Sequence, residues 1–178
     1  MNLVGEAAGG REALARFREL RPDVTLMDLR LPDMSGIEAI EAIRKEFTSA
    51  RIIVLTTYDG DAQALAALKA GAAGYLLKRA LRTDLLDTIR AVFVGKRSIP
   101  PDVATSIAEH AADDSLTDRE IEVLRGVAAG KSNKVIAAEL AVSDGTVKAH
   151  MKSILPKLGA RDRTHAVMIA VKRGILDV

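Results

Sequence analysis

Three apolar runs, at 24–27, 52–55 and 75–77, each stop at a residue able to do chemistry: Asp28, Thr56 and Lys78. If the runs are parallel strands of one sheet, their carboxyl ends share a rim, and a carboxylate, a hydroxyl and an ammonium converge on one pocket. That set suits a phosphoryl group. Asp28 would be the nucleophile that forms an acyl phosphate, Thr56 would donate a hydrogen bond, and Lys78 would place a positive charge beside the phosphoryl oxygens. Spacing alone also admits a plainer reading, in which polar residues at strand ends simply cap loops.

Other chemistries are closed by composition. The chain has 178 residues and no Cys, so there is no disulfide framework, thiolate metal site or cysteine nucleophile, and three scattered His make a His-based metal centre a poor reading. His110 and His165 have no neighbouring ligand or nucleophile in sequence, which favours core or surface roles. Apolar residues are 48% but aromatics only 3%, so the cores must be built from Ala, Leu, Ile and Val. No run approaches the roughly 18 apolar residues of a membrane span and no signal-like segment opens the chain, so a soluble, cytoplasmic protein is expected. Charge is uneven. Residues 1–98 carry 15 basic and 13 acidic side chains, 99–114 none and four, and 115–178 eleven and seven. Beyond residue 145 seven Lys and Arg face two acids, which is where an anionic partner would dock.

The elements that must position the three residues alternate in period. Ala13, Leu14, Phe17 and Leu20 recur at helical spacing and lead to the first run; Ile37, Ile40 and Ile43 lead to the second, Leu65 and Leu68 to the third, and Leu85, Ile89 and Val92 follow. Met1 to Val4 read as one further strand. The alternation predicts an α/β, doubly wound parallel sheet with helices on both faces. Residues 98–114 open with Pro100 and Pro101 and close with Asp113 and Asp114, a linker composition, with Ala104, Ile107 and Ala108 spaced for a short helix inside it. After it the pattern is all-α, with four helices. Thr117 and Glu120 form a capping box, Gly130 ends that helix, Ser132 caps a second, Ser143 a third, and a fourth starts near Asp162 and runs to Gly174. The second and third, joined by about three residues, describe a helix-turn-helix.

The segments LMDLRLPDMSG at 26–36, IIVLTTYD at 52–59 and GAAGYLLK at 71–78 strongly resemble the receiver domain of two-component response regulators. Residues 116–167, beginning LTDREIEVLRGVAAGKSNKVIAAEL, resemble the LuxR-type helix-turn-helix domain, and the pair marks the NarL/FixJ family. The resemblance implies a receiver (response regulatory) domain over 1–97, a linker over 98–114 and a DNA-binding domain over 115–178. It makes Asp28 the phospho-accepting residue, Thr56 the switch hydroxyl, Tyr75 the aromatic that reports the state, and Lys78 the phosphate-pairing lysine. It also implies Mg²⁺, a sensor histidine kinase and a homodimer. One departure stands out: the family's first strand, which ends in paired acidic residues, and its first helix are missing, so this sequence starts where their second strand should be. Either the start is internal to a longer protein, or the receiver half must repack or pair with another chain. Asp28 is then the single strand-end carboxylate for Mg²⁺, with Asp33 in the following loop, and slow phosphorylation is expected.

On the third helix of the second domain, Val147, Met151, Ile154 and Leu158 form the buried stripe, which leaves Gly145, Lys148, Ala149, Lys152 and Ser153 opposite and Thr146 and His150 at the margin. Two Lys among small residues fit a DNA major groove. Ser132 and Lys134 are placed for phosphate, and Ser143 starts the reading helix. Pro156 should kink that helix. Ala166, Val167, Ala170 and Val171 make an apolar stripe for a dimer contact. The function expected is a double-stranded-DNA-binding transcriptional regulator of a phosphorelay, not an enzyme. Its alternative is the same regulator working without phosphorylation, through dimerisation or a protein partner. A phosphotransfer enzyme would need a metal-binding carboxylate set that the sequence lacks.

Overall fold

A computed structural model describes residues 1–57, 60–110 and 115–176. These fall into two compact units, the first formed by residues 1–59 and 63–107, the second by 108–178 with 60–62.

In the first unit, three short strands, β1 (Thr25–Asp28), β2 (Ile52–Thr56) and β3 (Gly74–Leu77), pair in parallel in that order. They alternate with helices α1 (Gly10–Leu20), α2 (Gly36–Glu46), α3 (Asp61–Lys69) and α4 (Leu81–Phe93). Parallel pairing forces each crossover through a helix, and the period-two alternation of the strands divides their side chains between two faces. Ile52, Val54, Tyr75 and Leu77 enter the larger core with Phe17 of α1, Ile40 and Ile43 of α2, and Ala64 and Ala67 of α3. Ile53 and Leu76 point the other way and meet Val92 of α4. The sheet therefore carries helices on both faces, unequally.

Two sequence expectations change here. Met1 to Val4 form no strand: Met1, Leu3 and Val4 are 79%, 80% and 56% exposed, and none of the described strands pairs with them. A strand needs a neighbour to accept its backbone hydrogen bonds, and among the described strands β1 pairs with β2 alone. The composition that read as a linker is also partly core. Ser98 makes a parallel bridge to Gly74, and Pro101 opens a helix, α5 (Pro101–Glu109), where the missing N–H of proline costs nothing. Val103 of that helix is buried in the larger core with Ile99 and Ile107 against it. The closing residues of the stretch, 111–114, lie outside the described residues, as do Tyr58 and Asp59 of the second motif.

The second unit is helical: α6 (Asp118–Ala128), α7 (Asn133–Glu139), α8 (Asp144–Lys157) and α9 (Arg163–Lys172). Every start signal acts as expected, with Thr117, Ser132, Ser143 and Asp162 each accepting an N–H of the first turn, and Gly130 and Gly174 take the left-handed conformation after α6 and α9. Leu124, Ile136, Val147, Ile154, Ala166 and Ala170 share one core. The turn from α7 to α8 passes through Ala141 at φ 54°, a conformation that costs a non-glycine residue about 1 kcal/mol. Helix α8 is continuous through Pro156, where a kink was expected. The proline sits one residue from the helix end, so only a single bond, to the Lys152 carbonyl, is forgone.

Gly36 tests how tightly the first unit is assembled, because a Cβ there would collide with the carbonyl oxygen of Asp28 and the Cα of Leu29. Gly36→Ala should lower unfolding free energy by about 2 kcal/mol through the backbone shift it forces, read by urea denaturation with circular dichroism.

Candidate functional site

The strand register delivers the predicted convergence. Asp28 pairs with Leu55 and Thr56 with Leu77, so Asp28, Thr56 and Lys78, the residue after β3, end at one rim. Lys78 opens a single 3-10 turn, Lys78–Ala80, and its Nζ forms an ion pair with Asp28 Oδ2. The other oxygen, Oδ1, accepts the Arg30 N–H at 3.0 Å. Both partners are about one-third exposed, so the pair is open to an incoming group. Thr56 is buried at 4% exposure and Tyr75 at 1%, the latter packed in the larger core.

The fit of these residues to Mg²⁺ follows from their hydrogen bonds. Asp28 spends its two oxygens on Arg30 and Lys78, and the other carboxylate of the loop, Asp33, turns to the start of α1 and accepts from the N–H groups of Gly10 and Arg11. Among the described residues no three His, Cys, Asp or Glu side chains group as a metal site. One engaged carboxylate does not make a magnesium cage, so no step below passes through the metal.

In the second unit, α8 presents Gly145, Lys148, Ala149 and Lys152 to solvent, with Thr146 and His150 half-buried beside them. Ser143 and Thr146 share a hydroxyl contact of 2.8 Å that fixes the helix start. Lys148 rests on Asp144 at 2.7 Å, an exposed pair one turn apart that contributes only about 0.3–0.5 kcal/mol and yields readily to a phosphate. Ser132 caps α7 and leaves Lys134 exposed within its first turn. Two expectations are corrected. Ser153 faces inward and donates to Glu120 Oε1 at 2.7 Å, so its hydroxyl is committed to the core. Ala166 and Ala170 are fully buried in their own unit, because the inner face of a terminal helix is needed to close so small a core.

Glu120 is the functional-scale residue that local sequence underrates. Its capping-box partner, Thr117, was legible at three residues' distance; Ser153 and Lys157, 33 and 37 residues further on, were not. The 3%-exposed carboxylate ties the start of α6 to the last turns of α8. Burial opposes its charge, but the Lys157 ammonium, the Ser153 hydroxyl and the Thr117 N–H and O–H outweigh that and hold it at about 2, against an ordinary 4.5. Lys157, counted in sequence with the basic excess, is thereby an internal group.

A receiver-like rim on a parallel sheet, followed by a helix-turn-helix, defines a response regulator. Residues 1–90 match the response regulator receiver domain and 114–170 the bacterial regulatory proteins of the luxR family, and the chain belongs to the response regulators that join these two. It is 41% identical to the transcriptional regulatory protein YdfI of Bacillus subtilis over 99% of this chain and 86% of the relative. Against the response regulator protein VraR of Staphylococcus aureus the identity is 36%, over 99% and 87%. Among solved structures, RcsB of Salmonella enterica serovar Typhimurium, bound to promoter P1flhDC in the presence of a phosphomimetic, aligns with a TM-score of 0.70 at 31% identity over 96% of this chain and 85% of that one. A LuxR-family two-component response regulator from Aurantimonas aligns at 0.59 with 42% identity over 62% and 79%.

Because the Glu120 carboxyl is held below its unfolded value, its stabilising contribution is complete above about pH 4.5 and is lost as pH falls toward about 2. Urea denaturation of the full chain across that window should show the loss. Glu120→Gln should flatten it and destabilise the second unit by about 2 kcal/mol at pH 7, since it removes the charge opposite Lys157 and leaves one acceptor oxygen where Ser153 and Lys157 use two.

Proposed function

We propose that this protein is a cytoplasmic DNA-binding transcriptional regulator of a two-component phosphorelay, switched by phosphorylation of Asp28. The observation that carries the reading is the Asp28–Lys78 pair at the shared rim of the sheet, in a chain whose second unit exposes Lys148 and Lys152 on the helix after a helix-turn-helix turn. A carboxylate oxygen of Asp28 attacks the phosphorus of a phosphohistidine on a sensor histidine kinase. The new P–O bond forms as the P–N bond breaks, and the imidazole departs with the electron pair. Lys78, already at the carboxylate, follows the charge onto the phosphoryl oxygens, and Thr56 at the same rim supplies the switch hydroxyl. The receiver family usually binds Mg²⁺ at this site; here Lys78 is the compensating charge in view, which favours slow reaction with small phosphodonors. Tyr75 is the aromatic assigned to report the state.

For DNA, Lys148 and Lys152 enter the major groove with Gly145 and Ala149 giving clearance, Thr146 and His150 flank them, and Ser132, Lys134 and Ser143 hold phosphate. The domain division proposed is a receiver unit that takes in the bridge at Ser98 and the buried Val103 of α5 and runs to about residue 107, and a DNA-binding unit over 115–178. A homodimer suits paired half-sites about one helical turn apart, and solved RcsB complexes include two dimers bound to two parallel DNAs. With Ala166 and Ala170 buried, the α9 surface left for that contact is Thr164, Val167, Met168 and Val171, of which Met168 is 66% exposed.

The full chain should bind labelled duplex DNA with an affinity that falls steeply with salt in fluorescence anisotropy, and Lys148→Ala and Lys152→Ala should each weaken it by about 1 kcal/mol or more. Salt-independent binding, or two variants of unchanged affinity, would remove the major-groove assignment. Intact-mass measurement after incubation with acetyl phosphate and Mg²⁺ should show partial gain of one phosphoryl group, absent from Asp28→Asn.

A further inference from the structure

The loop that follows Asp28 is fastened at both ends. On one side, Gly36 N–H donates to the Leu29 carbonyl at 2.9 Å, Arg30 bridges to Ser35, and Ser35 caps α2. On the other side, Asp33 reaches back 23 residues: Oδ1 accepts the Gly10 N–H at 2.7 Å and Oδ2 the Arg11 N–H at 3.0 Å. Helix α1 has no side-chain cap of its own, since its N-cap residue is Gly9, so the loop supplies the acceptors that its first turn lacks. The fit depends on two missing side chains. A Cβ on Gly9 would lie 2.7 Å from Asp33 Oδ1, and one on Gly10 would collide with Cγ of Met34. Gly9 has φ −151°, ordinary extended backbone, so what its position demands is closeness and not a special conformation. The Arg11 and Gly10 amides hold the Asp33 carboxyl below its ordinary range, as expected of a carboxylate that accepts two backbone N–H groups.

We infer that Asp33 is a positioning residue for Asp28: by capping α1 from the loop 29–35, it fixes the backbone whose Arg30 N–H holds the Asp28 carboxylate. The inference rests on the reading of Asp28 as phosphoryl acceptor for its functional meaning, and on geometry alone for the linkage. It also gives α1 a role, because its first turn is joined through two hydrogen bonds at Asp33 to the loop that follows Asp28.

The test is amide hydrogen exchange by NMR on the full chain, comparing wild type with Asp33→Ala, Asp33→Asn and Gly9→Ala. In Asp33→Ala the Gly10, Arg11 and Arg30 amides should all exchange about tenfold faster while Ile53 and Val54 in the central strand stay unchanged. Asp33→Asn keeps one acceptor oxygen and should fall between. Gly9→Ala retains the carboxylate but displaces it, and should speed the same three amides. If Gly10 and Arg11 quicken while Arg30 does not, Asp33 is a helix cap with no hold on Asp28, and the inference fails; unchanged exchange at all three overturns it too. A parallel incubation with acetyl phosphate and Mg²⁺, with Asp28→Asn as control, separates the two readings. Absence of labelling in wild type refutes Asp28 as acceptor and leaves the exchange result to decide the linkage.

Discussion

Parallel pairing of three short strands is the constraint on which the first unit depends. It sends every crossover through a helix, so all three carboxyl ends arrive at one rim, and it makes each strand two-faced, so helices must cover both sides. Asp28, Thr56 and Lys78 meet because the register aligns their strand ends, with Asp28 opposite Leu55 and Thr56 opposite Leu77. Had any one strand run the other way, its polar terminus would lie about a strand length, some 15 Å, from the others. The glycine at the start of α2 belongs to the same constraint, since the helix can enter beside Asp28 only without a side chain at Gly36.

The second unit solves a different problem, holding a lysine-bearing helix rigidly on a small core. Apolar packing supplies most of the cohesion through Leu124, Ile136, Val147 and Ile154. Orientation comes from the buried Glu120, which joins the beginning of α6 to Ser153 and Lys157 near the end of α8. Lys148 and Lys152 thus project from a helix anchored at Ser153 and Lys157 beyond them, and their exposed ends need spend little on ordering when they meet phosphate.

Periodicity and capping chemistry made most elements legible: each helix start of the second unit is a Ser, Thr or Asp acting locally, and each strand of the first is a short apolar run ending in a polar residue. Illegible features were those whose partners lie far along the chain. Asp33 reads as a loop residue, yet it caps a helix 22 residues earlier; Ser153 reads as outward on the helical wheel, yet Glu120 draws it in. The stretch from 98 looked like a linker because Pro100, Pro101 and its acids dominate its composition, while the single well-placed Val103 commits it to the core. Met1 to Val4 carry strand composition, but pairing is a property of two segments and not of one.

The unequal covering of the sheet also sets an order of disassembly. Among the described residues, one face is sealed by four helices around fifteen buried side chains, the other by α4 around three, and α4 leaves Leu86 and Phe93 half in water. Free energy of opening scales with the apolar surface that opening exposes, so the face under α4 opens more readily than the face under the larger core. A protease should therefore cut within α4 before the strands that carry Asp28 and Thr56 are touched.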